Sequence, residues 1–260
     1  MRGVLIDLDG VIYEGDRAVE GAAEAVAWFQ KRRLPHLFLT NTTSRPRPSL
    51  VAKLADQGIE TCVERILTPP VAAVSWLSKH APGPAALFVP EATAEEFETL
   101  PRLPPEAESG AASVVLGDLG LGWDFRTLNR AFRLLMAEPR PPLVALGMTR
   151  YWRAADGLRL DVAPFVKALE HASGTSAIVL GKPAPEYFEA ALRMLDCDAR
   201  DTALIGDDIV GDVEGAQHVD IHGVLVRTGK FRPADLESGI RPNAVLDSIA
   251  TLPHWWEEQT

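Results

Sequence analysis

Short apolar runs recur along this chain, each followed by a polar cluster or a turn and separated by stretches of helical periodicity. Gly3-Val4-Leu5-Ile6 leads into Asp7-Leu8-Asp9-Gly10, and Leu37-Phe38-Leu39 into Thr40-Asn41-Thr42. Ala177-Ile178-Val179-Leu180 leads into Gly181-Lys182-Pro183, and Ala203-Leu204-Ile205 into Gly206-Asp207-Asp208; Gly223-Val224-Leu225-Val226 follows. Unbroken apolar strands alternating with helices are the pattern of a parallel sheet buried on both faces. The expected fold class is α/β, with a doubly wound parallel-sheet (Rossmann-like) core. In such a sheet the carboxyl ends of the strands open on one crevice. Four polar clusters at four strand ends therefore predict one convergent site.

The helical stretches are explicit in places. Ala22, Ala25, Val26 and Phe29 predict a core-facing helix from about Ala22 to Arg32. A second helix is expected near Pro48 and a third at Thr68-Pro69, where threonine suits the cap and proline the first turn. The middle of the chain reads as an insert. Pro82-Gly83-Pro84 looks like the exit and Asp161-Val162-Ala163-Pro164 the return, so the core is expected over 1–82 and 164–260, with a smaller α/β cap domain over 83–163. Inside the insert, strands are expected at Ala85–Val89, Ala112–Leu116 and Leu143–Leu146, and a helix over Asp124–Met136. Asp156-Gly157 suits a hairpin turn between Tyr151-Trp152-Arg153 and Leu158-Arg159-Leu160.

Gross properties narrow the function. A formal net charge of −10 excludes a broad nucleic-acid surface, which needs clustered Lys and Arg. It does not exclude an anionic substrate met by a local cation. Two cysteines, Cys62 and Cys197, make no disulfide framework, and both read as buried small residues. No apolar run approaches the roughly 18 residues of a membrane span, and a functional acid already at position 7 leaves no room for a removable leader. A cytoplasmic setting without membrane contact is the expectation.

The chemistry starts from the acids. Residues two apart on an extended segment share a face, so Asp7 and Asp9 project together, and Gly10 lets the chain turn away. Paired carboxylates repel, and require a cation, a shared proton or strong hydrogen bonds. A hard divalent ion such as Mg²⁺ meets that need. Asp207 offers a third carboxylate at another strand end and Asp212 a fourth about one turn on. Lys182 supplies countercharge for a nucleophile and a phosphate oxygen. Thr40 with the N–H groups of Asn41 and Thr42 suits a small anion nest. Each cluster alone is an ordinary polar turn; their placement at ends of one sheet is what carries the reading.

These four ordered clusters, with Asp212 closing the last, resemble the motifs of the haloacid dehalogenase superfamily. The insert resembles its type-two cap, in the subclass that contains pyridoxal and nucleotide phosphatases, and Ile205–Val213 with Val226–Asp235 point to one branch of it. The resemblance implies a Mg²⁺-dependent phosphatase with Asp7 as nucleophile, through an aspartyl-phosphate. It implies Asp9 as acid and base, its backbone carbonyl serving the metal, with Asp7 and Asp207 as the other metal ligands. Asp208 or Asp212 would stand behind these, and Thr40, Asn41, Thr42 and Lys182 would hold the phosphoryl oxygens.

Substrate choice is expected in the cap segment Met148, Thr149, Arg150 and Tyr151, which lacks the Asn-Pro-Asp-like sequence of many relatives. The expected partner is a small phosphorylated metabolite, a phosphoamidate or pyrophosphate. Transfer to an acceptor other than water, and a non-catalytic binding role on the same fold, are the alternatives. Trp255-Trp256 reads as the docking of a terminal helix, with a homodimer contact as the minority reading. The scattered histidines read as packing residues.

Overall fold

A computed structural model describes residues 1–154 and 156–259. The chain divides into two compact units. The first comprises Met1–Thr40, Arg47–Leu67 and Lys182–Thr260; the second comprises Asn41–Pro46 and Thr68–Gly181.

The first unit is built on six parallel strands, in the order Ala244–Leu246, His222–Val226, Thr202–Gly206, Gly3–Asp7, His36–Leu39 and Ile66–Leu67. Gly3–Asp7 is central and wholly buried, as its unbroken apolar run requires. Its alternate residues serve opposite faces. Val4 and Ile6 pack with Ala22, Ala25, Val26 and Phe29 of the Ala22–Lys31 helix and with Leu252 and Trp256 of Leu252–Glu258. The other face is covered in part by Ile209 and Val213, which pack on Leu225. Trp256 meets Phe29 edge-on at 5.1 Å between ring centroids, so the aromatic pair near the chain end docks a helix. Helices also form at Arg47–Asp56 and Pro69–His80. Proline opens the latter as expected, but the Thr68 side chain makes no cap bond.

The second unit carries its own parallel sheet, in the order Ile178–Val179, Leu143–Ala145, Ser113–Leu116 and Ala85–Phe88. Phe125–Leu135 packs on it behind an Asp124 cap that accepts from the Thr127 N–H at 2.7 Å. Tyr151–Ala154 and Gly157–Leu160 form the expected hairpin, with Gly157 already paired to Ala154. Gly157 therefore belongs to a strand rather than to the turn expected at Asp156-Gly157; residue 155 lies outside the described residues.

The Ile178–Val179 run does not join the core series, as the sequence pattern suggested. It pairs with Leu143–Ala145, and the Leu180 N–H continues the ladder to Ala145. Both residues are only half-buried, fitting an edge strand of a small sheet. Accordingly Pro69–His80 and Val162–Ser173, expected in the core, group with the second unit, which is wider than 83–163 in this division. Cys62 is exposed and Cys197 half-buried, so neither is the buried residue expected. Both are unpaired thiols.

Candidate active site

Parallel register sets the site. Pairing of Ile6 with Ile205 and of Asp7 with Leu39 brings Asp7, Asp207 and Thr40 to the same edge of the core sheet. Asp7, Asp207 and Asp212 are buried, and one carboxylate oxygen of each lies within 4.8 Å of the others. Lys182 is buried among them, its Nζ 2.6 Å from Asp7 Oδ1 and 2.6 Å from Asp212 Oδ1. Three buried carboxylates thus face one buried ammonium, and negative charge is left uncompensated. Burial, with repulsion from Asp212 and Asp207, raises the Asp7 pKa well above the ordinary carboxylate value against the pull of Lys182. Burial likewise lifts Asp207, to about 6, against the Lys230 N–H and with repulsion from Asp212. For Lys182 burial works the other way, but Asp212 and Asp7 outweigh it and hold the ammonium charged.

Asp207 is cradled by backbone. Its Oδ2 accepts from the Lys230 N–H at 2.7 Å, while its Oδ1 is buried with no hydrogen-bond partner among the described residues. A Cβ at Gly10 would stand 1.9 Å from Oδ2, and one at Gly229 2.0 Å from it, so both positions must be glycine for Asp207 to lie where it does. An orphaned carboxylate oxygen in a group with surplus negative charge fits a hard divalent cation such as Mg²⁺. Asp7 and Asp207 would hold it, with Asp212 close by.

Asp212 is more involved than the sequence suggested. Its Oδ1 takes Lys182 and its Oδ2 accepts the Asp208 N–H at 3.1 Å. Asp208 caps the following helical turn through the Gly211 and Val210 N–H groups at 2.8 and 3.1 Å. Those donors and Lys230, 3.2 Å away, overcome its burial and hold its carboxyl low. The Asp9 side chain is exposed and is not one of the clustered carboxylates. Thr40 is buried at its strand end, whereas Asn41 and Thr42 fall in the second unit.

Tyr187 and the 228–230 turn escaped the sequence reading. The buried Tyr187 hydroxyl lies 2.9 Å from the carbonyls of both Thr40 and Leu67 and accepts the Thr40 N–H at 3.2 Å. Burial pushes its pKa upward despite Lys182 nearby, so it stays a neutral hydroxyl. Its one signal was placement: Lys182-Pro183 leads into the Pro185–Leu195 helix, whose first turn carries Tyr187.

In the second unit, Met148 is half-buried against the local core, while Thr149, Arg150 and Tyr151 are exposed. Backbone fixes that segment: the carbonyls of Thr149 and Arg150 accept from Ala163 and Asp161 N–H, both at 3.1 Å. The Arg150 guanidinium lies 5.8 Å from the centre of the Tyr151 ring.

A doubly wound core whose strand ends gather acids around one lysine defines a class, and sequence comparison agrees with it. The haloacid dehalogenase-like hydrolase family matches residues 4–100, and a second HAD-hydrolase-like profile matches 179–252. The chain is 39% identical over 255 residues to human phospholysine phosphohistidine inorganic pyrophosphate phosphatase, covering 96% of this chain and 92% of that one. It is 36% identical to mouse haloacid dehalogenase-like hydrolase domain-containing protein 2, covering 98% and 94%. The structure superposes on p-nitrophenyl phosphatase from Archaeoglobus fulgidus with a TM-score of 0.86 at 25% identity, over 98% of each chain. The chain belongs to the haloacid dehalogenase-like hydrolases, and it is an enzyme of that class. Among the described residues no helix is long and apolar enough to cross a membrane.

Proposed function

We propose that this hydrolase is a Mg²⁺-dependent phosphatase that works through an aspartyl-phosphate on Asp7, a mixed anhydride, on a small phosphorylated compound. The observation that carries the reading is the buried Asp7 at the end of the central strand, in ion-pair contact with Lys182 and clustered with Asp207 and Asp212. Burial there raises the pKa of the carboxylate and so disfavours its ionised form, which is the nucleophile. Mg²⁺ held by Asp7 and Asp207 would favour the ionised form and offset part of the phosphoryl group's own charge. Asp7 Oδ then attacks phosphorus, the bond to the leaving atom breaks, and Asp9 gives that atom its proton. Asp9, now ionised, takes a proton from water; the water oxygen attacks phosphorus, releasing orthophosphate and restoring the Asp7 carboxylate. Lys182 and Thr40 hold phosphoryl oxygens, with Asn41 and Thr42 next in the chain as helpers. Asp212 keeps the lysine placed when Asp7 is phosphorylated, and phosphoryl transfer asks mainly for such positioning.

Phosphoamidates and pyrophosphate are the first substrates to try, since the human relative's name specifies phospholysine, phosphohistidine and inorganic pyrophosphate. Two unpaired cysteines favour a reducing, cytoplasmic setting. The deciding experiment is Asp7→Asn, assayed with Mg²⁺ against p-nitrophenyl phosphate, phospholysine, phosphohistidine and pyrophosphate. Turnover should fall by at least about 10³-fold, since an amide does not replace the nucleophile, with the circular-dichroism spectrum unchanged. Near-parental turnover of any of them would remove Asp7 from the nucleophile's role.

A further inference from the structure

The turn Thr228-Gly229-Lys230 contributes no side chain to the chemistry above, yet it binds together the segments that carry the acids. Besides the contact of the Lys230 ammonium with Asp208, three hydrogen bonds tie it to neighbouring segments. The Thr228 hydroxyl donates to the Gly10 carbonyl at 2.5 Å, and the Gly229 N–H donates to Glu14 Oε1 at 2.7 Å. The Lys230 N–H donates to Asp207 Oδ2 at 2.7 Å. Backbone meets backbone at the middle of the turn, where a Cβ on Gly229 would stand 2.5 Å from Gly10 Cα. The amide of Lys230 occupies Oδ2, leaving Oδ1 as the orphaned oxygen of that carboxylate. Glu14 is exposed and lies in the Tyr13–Glu14 strand of a small hairpin, so its bond to Gly229 ties that hairpin to the turn.

We propose that Glu14 and Thr228 are positioning residues that preset the Asp207 carboxylate for a divalent cation, by locking the 228–230 turn onto the loop after Asp7. The inference rests on reading Asp207 as a cation ligand. Neither residue belongs to the carboxylate cluster; each acts through the turn's backbone. A carboxylate oriented by a fixed amide needs no reordering when the ion arrives, and groups that orient a ligand in this way set much of a site's affinity.

The test is calorimetric titration of Mg²⁺ into the full chain, stripped of metal and without substrate. Thr228→Val, which removes the hydroxyl at constant shape, and Glu14→Ala should each weaken Mg²⁺ binding by roughly 10- to 100-fold. Thr228→Ser should restore most of it, and Glu14→Gln, which keeps an acceptor without the charge, should stay near the parent. Glu14→Gln as weak as Glu14→Ala would show a charge effect and overturn the role given to Glu14. Parental Mg²⁺ affinity in folded Thr228→Val and Glu14→Ala would overturn the proposal, even if both lose metal-free thermal stability. Should Thr228→Val not fold, the exposed Glu14 position decides alone. Asp207→Asn separates the two layers. If it binds Mg²⁺ like the parent, the cation reading falls and takes this proposal with it. If it binds weakly while Thr228→Val and Glu14→Ala do not, positioning alone is wrong.

Discussion

Asp207, held at about 6 without metal, titrates where many assays are run. From its ordinary 3.8 up to about 6, the folded chain holds more of this proton than the unfolded chain. Its ionisation therefore costs stability as pH rises through that window in metal-free protein. A cation reverses the balance, because it binds only the ionised carboxylate and must displace the proton. The rise in melting temperature caused by saturating Mg²⁺ should accordingly be small at pH 5 and grow to a plateau above pH 7. A shift independent of pH would mean that Asp207 is not a ligand. Asp7 acts in the same direction, since it too is raised by burial. At this scale the meeting of Asp7, Thr40 and Asp207 was legible in the sequence, because polar residues after the apolar runs of one parallel sheet can be placed by its geometry; Lys182 reaches the same acids although the run before it belongs to the other sheet. Tyr187 and the 228–230 turn were not: the Tyr187 hydroxyl bonds residues 120 and 147 positions away, and Thr228 and Gly229 bond residues more than 200 away, which no local pattern encodes.

The strand His36–Leu39 shows a second titration, away from the acids. His36 is buried, with its Nδ1 3.0 Å from the Leu34 carbonyl and the Arg65 guanidinium donating to its own carbonyl at 3.1 Å. Burial lowers its pKa from 6.5, Arg65 adds to that, and the Leu34 carbonyl only partly opposes. Below pH 6.5 the unfolded chain takes up the proton first, so stability falls as pH drops until the folded pKa is reached. One proton limits the slope to about 1.4 kcal/mol per pH unit. Urea unfolding of His36→Leu should lack this slope, while contributions from the acids cancel in the difference from the parent. Equal slopes in the two proteins would show that His36 takes up its proton alike in the folded and unfolded chain. Elements of this kind were readable by period, and the Ala22–Lys31 helix buries the stripe that its spacing predicted. Ile178–Val179 was not readable in the same sense. An apolar run says that a strand is buried, but the choice between two parallel sheets depends on partners the run does not encode.

At the scale of the whole molecule, the candidate acids and Lys182 belong to the first unit, whereas Thr149, Arg150 and Tyr151 belong to the second. If the second unit selects substrate, Arg150→Ala should change the ranking of substrates by kcat/KM rather than lower them all. Losing one charge-assisted hydrogen bond would cost roughly 1.5–3 kcal/mol for substrates that use it, or about one to two powers of ten. A uniform loss across phospholysine, pyrophosphate and p-nitrophenyl phosphate would point to damaged folding instead. The division of the chain also bears on how the protein is made. Gly3–Asp7 pairs on one side with His36–Leu39, available early, but on the other with Thr202–Gly206. At ribosomal speeds of about 5–20 residues per second, the central strand waits on the order of tens of seconds for that second neighbour. All four strands of the second sheet lie between Ala85 and Val179 and are synthesised before it arrives. The nascent chain thus holds every strand of the second sheet while the central, wholly buried strand of the first unit still has an open edge.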